Sequence, residues 1–106
     1  MLTVEQANMK LMSEPRTDGA DLVLEVVSDD RDSLVELGRQ FVVDWLQKSP
    51  TYNSWAMSGV DRASGPVCFD PEQPDADPYT VTRNAGEKAK DIKWKFRQAF
   101  RITKMI

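Results

Sequence analysis

The period of the apolar positions changes several times along the chain. Val4, Ala7 and Leu11 fall on one face of a short amphipathic helix. Thr3-Val4-Glu5-Gln6 opens it in capping-box form, with Thr3 and Gln6 each able to bond the other's backbone amide. Pro15 stops it, because the residue before a proline is pushed out of the α region. Residues 1–15 are thus expected as an N-terminal helical extension, followed by turn chemistry at Arg16-Thr17-Asp18-Gly19. Residues 20–27 then read as a strand from their β-branched content. Leu22, Leu24 and Val26 share one face, while Val23 and Val27 share the other with Glu25, so both faces are partly covered. After Ser28-Asp29-Asp30-Arg31-Asp32 the period becomes helical. Leu34, Leu37, Phe41 and Trp45, with Val42 and Leu46 beside them, make one stripe that Ser49-Pro50 ends. Gly38 lies inside this helix at a cost of about 1 kcal/mol relative to Ala, which a close approach of a neighbouring backbone would explain.

Residues 52–60 read as a second strand, 61–65 as a hairpin loop, and Pro66–Phe69 as a short returning strand. Residues 70–78 carry three prolines and four acids, and read as an extended acidic, Pro-rich loop. Tyr79–Thr82 is a candidate edge strand. Two patterns then compete. Ala85, Ala89, Ile92, Phe96 and Ala99 form a helical stripe, started by Asn84-Ala85-Gly86-Glu87. Trp94, Phe96, Phe100 and Ile102 also alternate with Lys95, Arg97, Arg101 and Thr103, as in a strand. The start signal assigns helix to 85–99 and a closing strand to 101–106.

Leaving out the first helix, the elements run β, α, β, β, α, β. This predicts a single α+β domain over 1–106, a two-layer sandwich of ferredoxin-like βαββαβ order. Its antiparallel sheet would have three to four strands, with the N-terminal helix added. The Lys/Arg-Gly-Phe/Tyr-Gly/Ala-Phe signature of RNA-recognition motifs has no counterpart in this chain.

Charge changes the picture. Residues 81–106 hold eight bases and two acids, net +6, whereas residues 1–80 are net −9. The overall charge of −3 hides that division. A basic segment on an acidic body can mark a nucleic-acid or membrane contact, or a segment that folds back on its own body. Composition is otherwise that of a globular domain, at 41% apolar and 29% charged. No apolar run approaches the roughly 20 residues of a membrane-spanning helix, and Met1–Gln6 has no signal-peptide character. A lone cysteine, Cys68, points to the cytoplasm. The chain has no histidine, which removes Ser-His and Cys-His dyads and leaves zinc almost nothing to bind. The expectation is therefore no cofactor, no metal and no catalytic residue.

Candidate contact residues come from three groups. Lys93, Trp94, Lys95, Arg97 and Arg101 interleave cations with aromatics, the mixture used on phosphates and bases, or else a solvated helix face. Asp70, Glu72, Asp75 and Asp77 form an acidic surface whose spacing does not fit an EF-hand. Tyr52 and Trp55 open a strand and suit an interface or a core. Asp29, Asp30 and Asp32 read as helix caps and Cys68 as a small core residue. The expected function is a small non-catalytic binding or regulatory protein. It would act through protein contacts, by self-association, as a homodimer, or by laying its acidic body on a basic partner surface. The alternatives are a nucleic-acid-binding module using residues 83–104 and, third, a small-ligand protein or enzyme.

Overall fold

The computed structural model describes residues 2–61 and 65–105. The elements are β1 (Lys10–Leu11), β2 (Arg16–Asp18), β3 (Asp21–Ser28), α1 (Leu34–Lys48), β4 (Trp55–Asp61), β5 (Val67–Phe69), α2 (Pro78–Ala85), a 3₁₀ segment (Gly86–Asp91) and β6 (Lys95–Lys104). Among the described residues the class is α+β, an antiparallel sheet of six strands with two α-helices. That is more strands than the three to four expected. The surplus comes from broken edges. β1 and β2 both pair with the outer side of β3, separated by a stretch containing Pro15. β4 and β5 both pair with one side of β6. Proline supplies no ladder donor, so an edge interrupted there is the expected outcome.

The last strand is the centre of the molecule. β6 runs for ten residues, with β3 on one side and β4 and β5 on the other. The helix expected over 85–99 is not formed. After the 3₁₀ segment the chain follows the alternation of Phe96, Phe100 and Ile102 instead, because a strand there buries both its faces. Tyr79–Thr82, expected as an edge strand, lies inside α2. Asp77 accepts from the Thr80 amide at 3.0 Å and Pro78 occupies the first turn, where its missing donor costs nothing. β4 and β5 do not form the expected hairpin. They lie in the same direction along β6, and the loop read at 61–65 falls largely outside the described residues.

The N-terminal helix is also corrected. The capping box forms as read, with Thr3 N donating to Gln6 Oε1 at 3.0 Å and Gln6 N to Thr3 Oγ1 at 3.1 Å. It starts only one turn. Asn8 takes φ of 55°, and the Met9 and Asn8 amides close back on the Val4 and Glu5 carbonyls at 3.4 and 3.1 Å. That is a left-handed helix ending, which asparagine tolerates. Leu11 is thereby freed to enter β1.

The core lies between α1 and one sheet face. Leu24 and Val26 of β3 and Phe100 and Ile102 of β6 pack against Leu34, Val42 and Leu46. Side chains of this size contribute about 1.5–3 kcal/mol each on burial. Gly38 is explained by a side chain and not by a backbone. A Cβ there would stand 2.4 Å from the Phe100 ring. In β4, the spacing Trp55, Met57, Val60 would put Val60 on the wrong face of a regular strand. An irregularity between Met57 and Gly59 restores it, with Ser58 Oγ donating to the Arg101 carbonyl at 3.2 Å. Gln98, fully buried, sits where the β6 ladder passes from β4 to β5. Its Nε2 donates to the Asp61 and Ala99 carbonyls at 2.6 and 3.0 Å.

Candidate functional site

Alternation along β6 sends Lys95, Arg97 and Arg101 to the face opposite α1. There they meet the acids of the body. Arg101 reaches Asp18 at 2.6 Å and Asp21 at 3.5 Å. Glu25 takes Arg16 at 2.7 Å and Arg97 at 3.9 Å. Lys95 is hydrogen-bonded to Asp29, whose carboxyl it holds below its ordinary pKa, with Asn8 adding to the effect. Asp18 in turn holds the Arg101 guanidinium more firmly protonated. Arg97 also lies over the Phe69 ring at 5.3 Å and donates to the Pro74 carbonyl at 3.3 Å. Three of the candidate contact cations are therefore occupied within the chain, and the segment does fold back on its body.

The acidic loop divides as well. Asp77 is the cap of α2, and the Thr80 hydroxyl bonded to it lowers its pKa. Asp70 keeps 6% of its surface exposed. Its oxygens accept from Glu72 N at 3.0 Å and Gln73 Nε2 at 3.3 Å, which folds 70–73 into a turn. Glu72 and Asp75 are exposed. Of the aspartates read as caps of α1, Asp30 accepts from the Ser33 amide at 2.9 Å one turn before the helix, and Asp29 is given to Lys95. Ser33, at the cap position, makes no side-chain cap bond.

Between the loop and the residues that follow it lies a cleft of about 510 Å³. One wall is Asp70–Gln73. The rest of the lining comes from α2, the 3₁₀ segment and the two residues after it: polar Asn84, Lys88, Asp91 and Lys93, and apolar Val81, Ala85 and Ile92. Val81 is 2% exposed. A smaller cleft of about 400 Å³ adjoins it, sharing Pro71 and Lys93 and carrying Trp94 half-buried at its side. Among the described residues, no ion pair engages Asp70, Glu72, Asp91, Lys88 or Lys93. The structure thus brings Lys93, Trp94, Asp70 and Glu72 together. It leaves Asp75 and Asp77 further along the same loop, outside the cleft lining.

Tyr52 and Trp55 are elsewhere. Tyr52 stacks on Trp45 at 5.4 Å and meets Trp55 edge-on at 6.5 Å, closing the end of the core beside α1. Cys68 is half-buried in β5 opposite Phe96. No group of three or more Cys, Asp or Glu suited to hold a metal ion occurs among the described residues, and none of their helices is long and apolar enough to cross a membrane. Gln73, Asn84 and Lys88 were not singled out from the sequence. Asp77-Pro78, a helix start that places Val81, Asn84 and Ala85 on one face, could have found Asn84; nothing in the pattern marked Gln73 or Lys88. No protein-family model, curated protein or solved structure matches the chain.

Proposed function

We propose that this is a small non-catalytic binding or regulatory protein of the cytoplasm that acts through protein contacts, and that the cleft is its recognition surface. One observation carries the reading. The acidic loop and residues 81–93 line one cleft, and among the described residues Asp70, Glu72, Lys88 and Lys93 have no ion-pair partner. Charges left open in a concave site are where a partner gains most from complementarity. The acidic wall suits a basic group of the partner, whether that partner is a second copy or another protein. Lys88, Lys90 and Lys93, exposed near Trp94, are what supports the nucleic-acid alternative. Two acids in the cleft wall oppose a polyanion.

A photo-crosslinking residue at exposed Asn84, with exposed Asn53 as the control site, tests this in lysate of the source cells. Adducts formed at Asn84 alone, destroyed by protease and indifferent to nuclease, are expected. Nuclease-sensitive adducts would favour the alternative, and equal labelling at both sites would contradict the reading. Sedimentation equilibrium at low and high salt then separates its two forms. A mass above the monomer at low salt marks self-association, and a monomer throughout assigns the contact to another protein.

A further inference from the structure

We infer that the cleft seats a short, extended peptide segment in which a basic side chain stands next to an acidic one. The basic group lies against Asp70 and Glu72, and the acidic group against Lys88 and Lys93. This rests on the protein-contact reading above and makes it specific.

Asp70 is the strongest reason. It is more than nine-tenths buried, it lines the cleft, and among the described residues it has no cation partner. Aspartate is rarely buried to that degree without one. An ionised carboxylate offers about four acceptor positions, and the Glu72 amide and Gln73 side chain use two. Each oxygen thus has one donor and room for another, and an arginine or lysine of a ligand supplies a further donor and the opposite charge together. Glu72, exposed at the rim beside it, strengthens the same preference.

The opposite wall asks for the opposite charge. Lys88 and Lys93 are exposed and, among the described residues, in no ion pair, while Lys95, two residues after Lys93, is tied to Asp29. Asp91 tempers that wall but does not cancel two ammonium groups. A ligand of one sign would satisfy one wall and be repelled by the other. Val81, Ala85 and Ile92 between the walls suit an aliphatic stem or an apolar residue joining the two charges. At about 510 Å³ the cleft has the size of a small-ligand site, which fits a few side chains and not a folded surface. Trp94 and Pro71 at the adjoining end extend it as a stacking platform.

The test is an NMR titration of the whole chain with acetyl-Ala-Arg-Glu-Leu-Ala-amide, whose adjacent charges point to opposite sides of an extended chain, and two versions, one with Gln for Arg and one with Gln for Glu. Saturable shifts are expected at the amides of Glu72, Gln73, Asn84 and Lys93 and at the Trp94 indole. Each Gln version should bind at least about five-fold more weakly, as roughly 1 kcal/mol of charge pairing implies. Asp70→Asn should reduce the discrimination between the Arg and Gln peptides, with Glu72 retaining the rest. Lys88→Gln should likewise reduce that between the Glu and Gln peptides, with Lys93 retaining the rest. If Asp70→Asn does not fold, Glu72→Gln, on an exposed residue, carries the same comparison and should reduce the discrimination. Equal affinity for all three peptides at these residues would overturn the charge rule while leaving the protein-contact reading intact. No shifts at these residues at about 5 mM peptide, enough to fill a millimolar site, would overturn the inference itself. The Asn84 crosslink would then decide the broader reading alone.

Discussion

The basic segment meets the acidic body in two ways, and the two do different work. On the sheet face opposite α1, Arg97 and Arg101, whose register partners on β3 are Val27 and Val23, reach diagonally to Glu25 and Asp21, with Asp18 of β2 beside them, and Lys95 meets Asp29. At the cleft, Lys88 and Lys93 line the same cavity as Asp70 and Glu72, and among the described residues no ion pair joins them. In an antiparallel sheet a diagonal neighbour on the next strand lies about 7–8 Å away, within reach of a long side chain, so opposite charges placed there pair whether or not function asks for it. A helix and a loop have no such register, and their charges are left to whatever enters. Of the eight bases in residues 81–106, Lys95, Arg97 and Arg101 thus serve the fold through ion pairs with the body, while Lys88 and Lys93 are left for recognition.

The comparison can be broken from the strand side with large effects. Phe100→Ala removes a fully buried ring from the middle of β6 and should cost about 3–5 kcal/mol, measured by chemical denaturation. Gly38→Ala forces a methyl group into that ring. Overpacking of about 1–3 kcal/mol, set against about 1 kcal/mol of gained helix propensity, leaves a net destabilisation. Phe100→Leu in the same chain should recover part of it, and strict additivity would contradict the contact. Glu25→Gln takes the carboxylate from both Arg16 and Arg97. Its side chain is 21% exposed, so the loss should fall between surface and buried pairs, roughly 1–2 kcal/mol. From the cleft side the effects on folding should be small. Lys88→Gln or Lys93→Gln should change stability by less than about 0.5 kcal/mol, because neither side chain is engaged.

Acid sharpens the same contrast. Lys95 lowers the pKa of Asp29 and Thr80 lowers that of Asp77. Groups with a folded pKa below the unfolded one stabilise the fold above the unfolded value and lose that contribution as pH falls through the folded one. The loss therefore sets in below about pH 5. Asp29→Asn and Asp77→Asn should each flatten the decline of stability between about pH 5 and pH 2 relative to the parent. Asp77→Asn should do so with little change at neutral pH, since asparagine also caps helices well.

What could be read from the sequence followed how local each determinant is. β3 and α1 were legible because their periodicity is strong and bounded by turn residues, and the acidic loop because Pro71 and Pro74 exclude regular structure there, whereas Pro78 opens α2. The N-terminal helix failed on Asn8, a single residue whose left-handed conformation no pattern announces. Residues 85–99 failed because two periodicities overlap there. The choice between them is made by burial between β3 and β4, a contact across some seventy residues of chain that local reading does not contain. The candidate site was half legible. Its charged residues were visible as two separate groups, but their meeting across a cleft depends on where α2 begins.

Lysine acetylation followed by mass spectrometry asks whether the two lysine environments differ. In a native chain treated briefly with a small acylating reagent, Lys88 and Lys93 should react freely. Lys95 should lag by roughly ten-fold, the effect of one charge-assisted hydrogen bond of about 1.5 kcal/mol, and Asp29→Asn should speed it up. Equal rates at all three lysines in the native chain would show the basic segment to be uniformly open, and would contradict the division on which this account is built.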